Sequence, residues 1–200
     1  LKTHLSGDLI QLNSGYKPPT VTTSAILVDD VLYAWPCITR YGLYPYCREM
    51  RHGVYSITKT LGAAVALFRL AAKYGDEVMG EKIVDYVDVN AAHDGWDAVT
   101  FADVLNMATG IGDEAPHRLP LVTTADEQKP KSVPFYTTHS AASKLAVAFS
   151  YNNYPWGPGE VFRYNTLQTF VLAAAMDGFL KKKEGPAAHL WDMVLTEVLR

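Results

Sequence analysis

The chain has 200 residues, 48% apolar and 20% charged, the balance of a soluble globular protein of one domain or most of one. A formal net charge of -3 and a sequence pI near 6.1 leave no basic footprint, which argues against nucleic acid as a partner. No apolar stretch is long enough to span a bilayer; the run from Thr60 to Tyr74 is too short and holds Arg69.

The chain begins at Leu1 without an initiator methionine, and no signal peptide is visible. Residues 1–23 carry Gly7, Gly15, Pro18 and Pro19 and no sustained period, so they read as an arm or linker before a single domain over 24–200. Ala25 to Val28 and Val31 to Trp35 are short apolar strands around Asp29-Asp30, a two-residue hairpin turn. No further strand pair is expected, and everything afterwards reads as helix and loop. Cys37 and Cys47 leave two readings open, a disulfide if the segment doubles back or two buried free thiols. They form neither a four-ligand zinc pattern nor a Cys-x-x-Cys redox pair.

Ser56-Ile57-Thr58-Lys59 stands at the start of the apolar run Thr60 to Tyr74. Residues three apart on a helix share a face, so the amine reaches the hydroxyl and the pair makes a nucleophile with a base beside it. With 8 serines and 11 lysines, about 0.4 such pairs are expected by chance, and two occur. The other, Ser14 to Lys17, runs into Pro18-Pro19, which forbid the helix that would align the side chains. The helix behind Ser56 is apolar nearly all round and is therefore expected to be buried, with Gly75 as its stop. Burial would favour a lysine acting as a base, and the helix start favours developing negative charge. The competing structural reading makes Ser56 a helix N-cap and Lys59 an exposed first-turn residue.

Further along, Thr100 and Asp103 spell a capping box opening a short helix closed at Gly110. The stretch Asp113 to Ser140, with Pro116, Pro120, Pro130 and Pro134, is irregular and the best candidate to shape a pocket over Ser56. Helices are expected over Ala141 to Phe149, over Leu167 to Met176 closed by Gly178, and from Ala187 to the last residue. Tyr151, Asn152 and Asn153 before Pro155 read as a helix end and turn. The six histidines show no metal-binding spacing, and Lys181-Lys182-Lys183 reads as a solvated charge run. The Gly110 to Ala115 stretch fits a dinucleotide fingerprint only loosely, because a helix precedes it and Pro116 follows.

Pro158-Gly159-Glu160-Val161-Phe162-Arg163-Tyr164 is a turn that delivers a tyrosine to a helix start. Three stretches together resemble the serine beta-lactamase and penicillin-binding-protein superfamily, in particular its class C beta-lactamase and esterase branch. They are Tyr55 to Thr60 with the nucleophile motif, Val99 to Ile111 with the family's segment ending in Ser-Gly-Leu or its variants, and Pro158-Gly159 with Tyr164 five residues beyond the glycine. The resemblance covers roughly residues 24–200. It implies an α/β (α+β) fold in which a helical cluster packs on an antiparallel sheet only partly present in this chain.

The same resemblance makes Ser56 the acylated nucleophile, Lys59 its proton-relaying neighbour and Tyr164 the partner that shares the base role. A phenol becomes a usable base only if a nearby ammonium stabilises its phenolate, which Lys59 would supply. The implied function is a serine hydrolase working through an acyl-enzyme on an ester, amide or beta-lactam. The substrate is a small molecule or peptide-like, and neither cofactor nor metal is required. A periplasmic or secreted location also follows from the resemblance, while the oligomeric state does not. Asn165 and Thr166 are the candidate substrate-binding residues: the family's Tyr-x-Asn would place asparagine at 166, where Thr166 stands. The third motif, Lys-Thr-Gly or His-x-Gly on a strand, does not occur, so the domain is expected to continue beyond Arg200. The alternative is a non-hydrolytic binding or scaffolding protein that keeps the fold.

Overall fold

A computed structural model describes residues 21–51, 53–112 and 133–199. Most of the expected arm over 1–23, and residues 113–132 of the expected irregular stretch, lie outside the described residues. The chain forms two compact units, 1–53 and 54–200, divided inside the stretch expected as one domain.

In the first unit, β1 (Ala25–Val28) and β2 (Val31–Ala34) pair antiparallel, with Val28 opposite Val31. Asp29 and Asp30 both take positive φ, 48° and 61°, as a two-residue turn matched to strand twist requires. A second hairpin follows that the sequence reading did not anticipate, β3 (Ile38–Thr39) with β4 (Gly42–Leu43). Two-residue strands are too short to carry an alternating pattern, and the turn depends on Gly42 at φ 104°. Cys37 and Cys47 form a disulfide with Cα atoms 5.3 Å apart, which settles the open alternative.

The second unit is helical. Ile57–Lys59 (α1), a π-helical turn over Thr60–Ala64 and Val65–Tyr74 (α2) follow one another. Next come α3 (Phe101–Leu105), α4 (Val133–Thr137), α5 (Ala141–Phe149), α6 (Thr166–Glu184) and α7 (Leu190–Glu197). The two-residue strands β5 (Ile111–Gly112) and β6 (Asn152–Asn153) pair antiparallel, so the expected turn at 152–153 is a strand.

The most deeply buried helix is α6 and not the one behind Ser56. Leu167, Val171, Leu172, Ala175, Met176, Phe179 and Leu180 are all buried, and Phe179 meets Tyr74, Tyr86 and Phe101 edge-on at 5.5 to 6.2 Å. Helix α2 buries Ala66, Leu67, Leu70 and Ala71 but leaves Phe68 57% exposed, and Leu61 in the π turn is 45% exposed. Its alanines made every face look apolar in sequence, while only the larger Leu67 and Leu70 mark the packed side.

Gly178 does not end α6. The helix runs on to Glu184 and stops at Gly185, φ 99°. At Gly178 the Tyr86 carbonyl comes within 2.6 Å of where a Cβ would sit, so this glycine serves close packing rather than termination. Lys181, Lys182 and Lys183 therefore occupy the last turn of α6, where cations complement the helix dipole. The capping box at Thr100 and Asp103 forms as expected, and α5 has the expected bounds. Helix α7 starts at Leu190 rather than Ala187 because the Leu190 N–H bonds Asp177 Oδ1 at 2.8 Å. No helix among the described residues is long and apolar enough to cross a membrane.

Candidate active site

Ser56 precedes α1, and its side chain makes no capping bond. The turn ladder starts one residue later, with the Ile57 N–H on the Val54 carbonyl at 3.1 Å, followed by Thr58 on Tyr55 and Lys59 on Ser56. The Ser56 hydroxyl is thus spared the role that the structural reading would give it. Tyr55, just before it, sits at φ 44°, a conformation that costs a non-glycine residue free energy and is concentrated at functional turns.

From one helical turn later Lys59 Nζ donates to Ser56 Oγ at 2.9 Å and to Tyr164 Oη at 2.7 Å. The Tyr164 hydroxyl donates to Ser56 Oγ at 2.5 Å, closing a triangle of three polar atoms. The ammonium also lies 4.7 Å from the centroid of the Tyr164 ring, close enough for a cation–π contact. Ser56 is exposed, whereas Lys59 and Tyr164 are half-buried, so the burial expected of Lys59 is only partial. The three residues, up to 108 positions apart, meet as the sequence motifs required.

Tyr164 is placed by a backbone lattice. The Arg163 N–H donates to the Met107 carbonyl at 2.7 Å, Gly159 to Ala108 at 2.6 Å and Tyr154 to Gly110 at 2.8 Å. Gly110 has φ 73°, and a Cβ there would stand 2.7 Å from the Trp156 carbonyl. The segment that resembles the family between Val99 and Ile111 thus acts here as the seat for the loop that carries Tyr164. The family segment was legible in the sequence but this duty was not; Gly110, close after the capped α3, was the available signal.

Asn165 and Thr166 part company. Asn165 is fully buried, and its Oδ1 accepts from the Leu167 N–H at 2.9 Å, an N-cap for α6. Its side chain does not face the space beside Ser56. Thr166, half-buried in the first turn of α6, lines that space.

Among the described residues, a trough and a smaller hollow adjoin the nucleophile. A trough of about 700 Å³ runs from Ser56 and Lys59 along α6 and α7, walled by Phe135, Phe170, Ala173, Leu190, Trp191 and Val194. A smaller hollow of about 360 Å³ is bounded by Tyr164, Thr60, Leu105 and Met107, and again by Ser56 and Lys59. Phe135 seats α4 at the trough through an edge-on contact with Phe170 at 5.6 Å. The π turn directly after Lys59 is a feature that the sequence did not reveal. Such turns slip the helical register by one residue and recur at functional sites. Among the described residues, no group of three or more His, Cys, Asp or Glu side chains is arranged to hold a metal ion.

No curated protein and no solved structure matches the chain. The family model described as Beta-lactamase matches residues 37–181, which include Ser56, Lys59 and Tyr164 and amount to more than half of the sequence. The family is of serine hydrolases in general character, and the helices and short antiparallel strands of this chain are consistent with its α/β fold. On that match and on this fold, the chain belongs to the beta-lactamase family.

Proposed function

We propose that this protein hydrolyses an ester, amide or beta-lactam through an acyl-enzyme on Ser56. The observation that carries the reading is the closed triangle of Ser56 Oγ, Lys59 Nζ and Tyr164 Oη, every edge 2.9 Å or shorter. The Ser56 proton passes to the Tyr164–Lys59 pair while Oγ attacks the carbonyl carbon. In this reading the Ser56 N–H, at the helix start, supplies one donor to the resulting oxyanion. When the intermediate collapses, Tyr164 returns the proton to the leaving atom. Water repeats the sequence on the acyl-serine, releasing the acid and restoring the hydroxyl. Splitting one hydrolysis into two steps is what covalent catalysis supplies.

The test is labelling with a fluorescent penicillin and with a fluorophosphonate. Wild type is expected to label and Ser56→Ala to stay blank. Labelling that survives Ser56→Ala overturns the assignment. A folded wild type that accepts neither probe but binds a ligand supports the non-hydrolytic alternative.

A further inference from the structure

We infer that the substrate is an ester or amide with a long apolar acyl group, which lies in the trough along α6, while its leaving group occupies the smaller hollow. This inference rests on the proposed acyl transfer at Ser56 and deepens it.

The orientation follows from where the proton must go. On breakdown of the tetrahedral intermediate the bond from the carbonyl carbon to the leaving atom breaks, and that atom takes both the electron pair and a proton. Tyr164 holds this proton, and it borders the 360 Å³ hollow but not the 700 Å³ trough. The leaving group therefore lies on the Tyr164 side. The acyl group, still bonded to Ser56 Oγ, is left with the trough, which also begins at Ser56.

The trough's chemistry selects what that acyl group is. Thr166, Phe170, Ala173 and Asp177 succeed one another at spacings of four, three and four, one face of α6. At 1.5 Å per residue this stripe is about 16 Å long, the reach of an extended alkyl chain rather than of an acetyl group. Phe135, Leu190, Trp191 and Val194 complete a wall that is mostly carbon. The one carboxylate, Asp177 at the far end, is already engaged by the Leu190 N–H at 2.8 Å and by Lys181 at 2.6 Å. A polar or charged acyl group would find few partners there, whereas each buried methylene is favourable. The volume also lies within the range of small-molecule pockets.

The experiment separates the trough from the chemistry by using Ser56→Ala protein. Acetate, hexanoate, octanoate and decanoate are titrated calorimetrically. Affinity is expected to rise up to about fourfold for each methylene that fits, so decanoate exceeds hexanoate by more than tenfold. Adding Ala173→Trp, which fills the middle of the trough, is expected to erase the gain from hexanoate to decanoate. Should that variant fail to fold, Trp191→Lys at a 54% exposed position takes its place, with the same loss expected. Affinity flat along the series, or a gain that survives the blocking variant, overturns the acyl assignment. Failure of the Ser56 reading shows separately, as labelling that persists in Ser56→Ala. In wild type the ratio of kcat/KM for decanoyl to acetyl nitrophenyl esters should favour decanoyl and fall at least tenfold in the blocked variant.

Discussion

Tyr164 and Lys59 divide one proton-handling task, and their separate removal should show it. Tyr164→Phe keeps the ring and its contact with the ammonium but loses the phenol that exchanges a proton with Ser56 Oγ. The acylation rate by a penicillin or fluorophosphonate is expected to fall about 10²- to 10⁴-fold, the usual worth of a positioned acid–base group, with an unchanged urea midpoint. Lys59→Ala, which removes two edges of the triangle, should cost at least as much. Asn165→Ala is expected to behave differently. It removes the cap of α6 and should lower stability by about 1 kcal/mol, read from urea unfolding, with a smaller effect on the labelling rate. The Ser56–Lys59 pairing was legible from their spacing on one helix turn, while Tyr164 was singled out by the resemblance of its Pro-Gly turn to the family's. Asn165 was expected at the substrate, but its side chain is buried and caps α6 instead, a role not read from the sequence.

At the scale of elements, α6 holds the second unit together, and two devices dock its neighbours onto it. The first is Gly178. Gly178→Ala would put a methyl 2.6 Å from the Tyr86 carbonyl and is expected to destabilise by about 1–3 kcal/mol as the backbones separate, measured by thermal or urea unfolding. The second is a charge network joining the ends of α2, α6 and α7: Lys73 pairs with Glu184 and Glu197, and Arg69 with Glu197. The Lys73 hydrogen bond, with help from Tyr74 or Arg69, holds both carboxyls below the ordinary glutamate value, and Lys73 itself is raised chiefly by its bonds to Glu184 and Glu197. A depressed carboxyl contributes stability that is present above its unfolded pKa and lost as pH falls through the folded one. A raised lysine contributes below its unfolded value and loses the contribution in strong alkali. The urea midpoint should therefore drop from pH 7 into the acid range below the ordinary glutamate pKa. Glu197→Gln should flatten that drop and cost about 0.2–1 kcal/mol near neutrality, the range for partly exposed pairs. A drop equally steep in Glu197→Gln would remove this network from the account. Helix positions were readable from periodicity and caps, but Gly178 read as a stop because glycine after an apolar stretch signals one locally. What overrode it was the partner backbone, which no local pattern encodes.

For the molecule as a whole, the Cys37–Cys47 bridge staples a unit whose strands are at most four residues long. Such strands bury little, so a covalent link matters more than in the helical unit. Replacing both cysteines by serine is expected to cost that unit about 2–3 kcal/mol, in keeping with a loop of this size, detectable as earlier exchange of its amide hydrogens. Unchanged exchange at β1 and β2 would show that the hairpins hold without the bridge. By itself the amino-acid sequence carried the motifs that resemble the family and most helix positions, because caps, turns and the spacing of short motifs are local chemistry acting within a few residues. Only the tertiary structure decided that α6 is the buried helix, that Gly178 is a contact, that the cysteines pair, and that Ser56 lies between an apolar trough and a smaller hollow. Those outcomes depend on which surfaces meet, from ten residues apart at the disulfide to 92 between Tyr86 and Gly178, and such meetings are set by packing beyond any one local pattern.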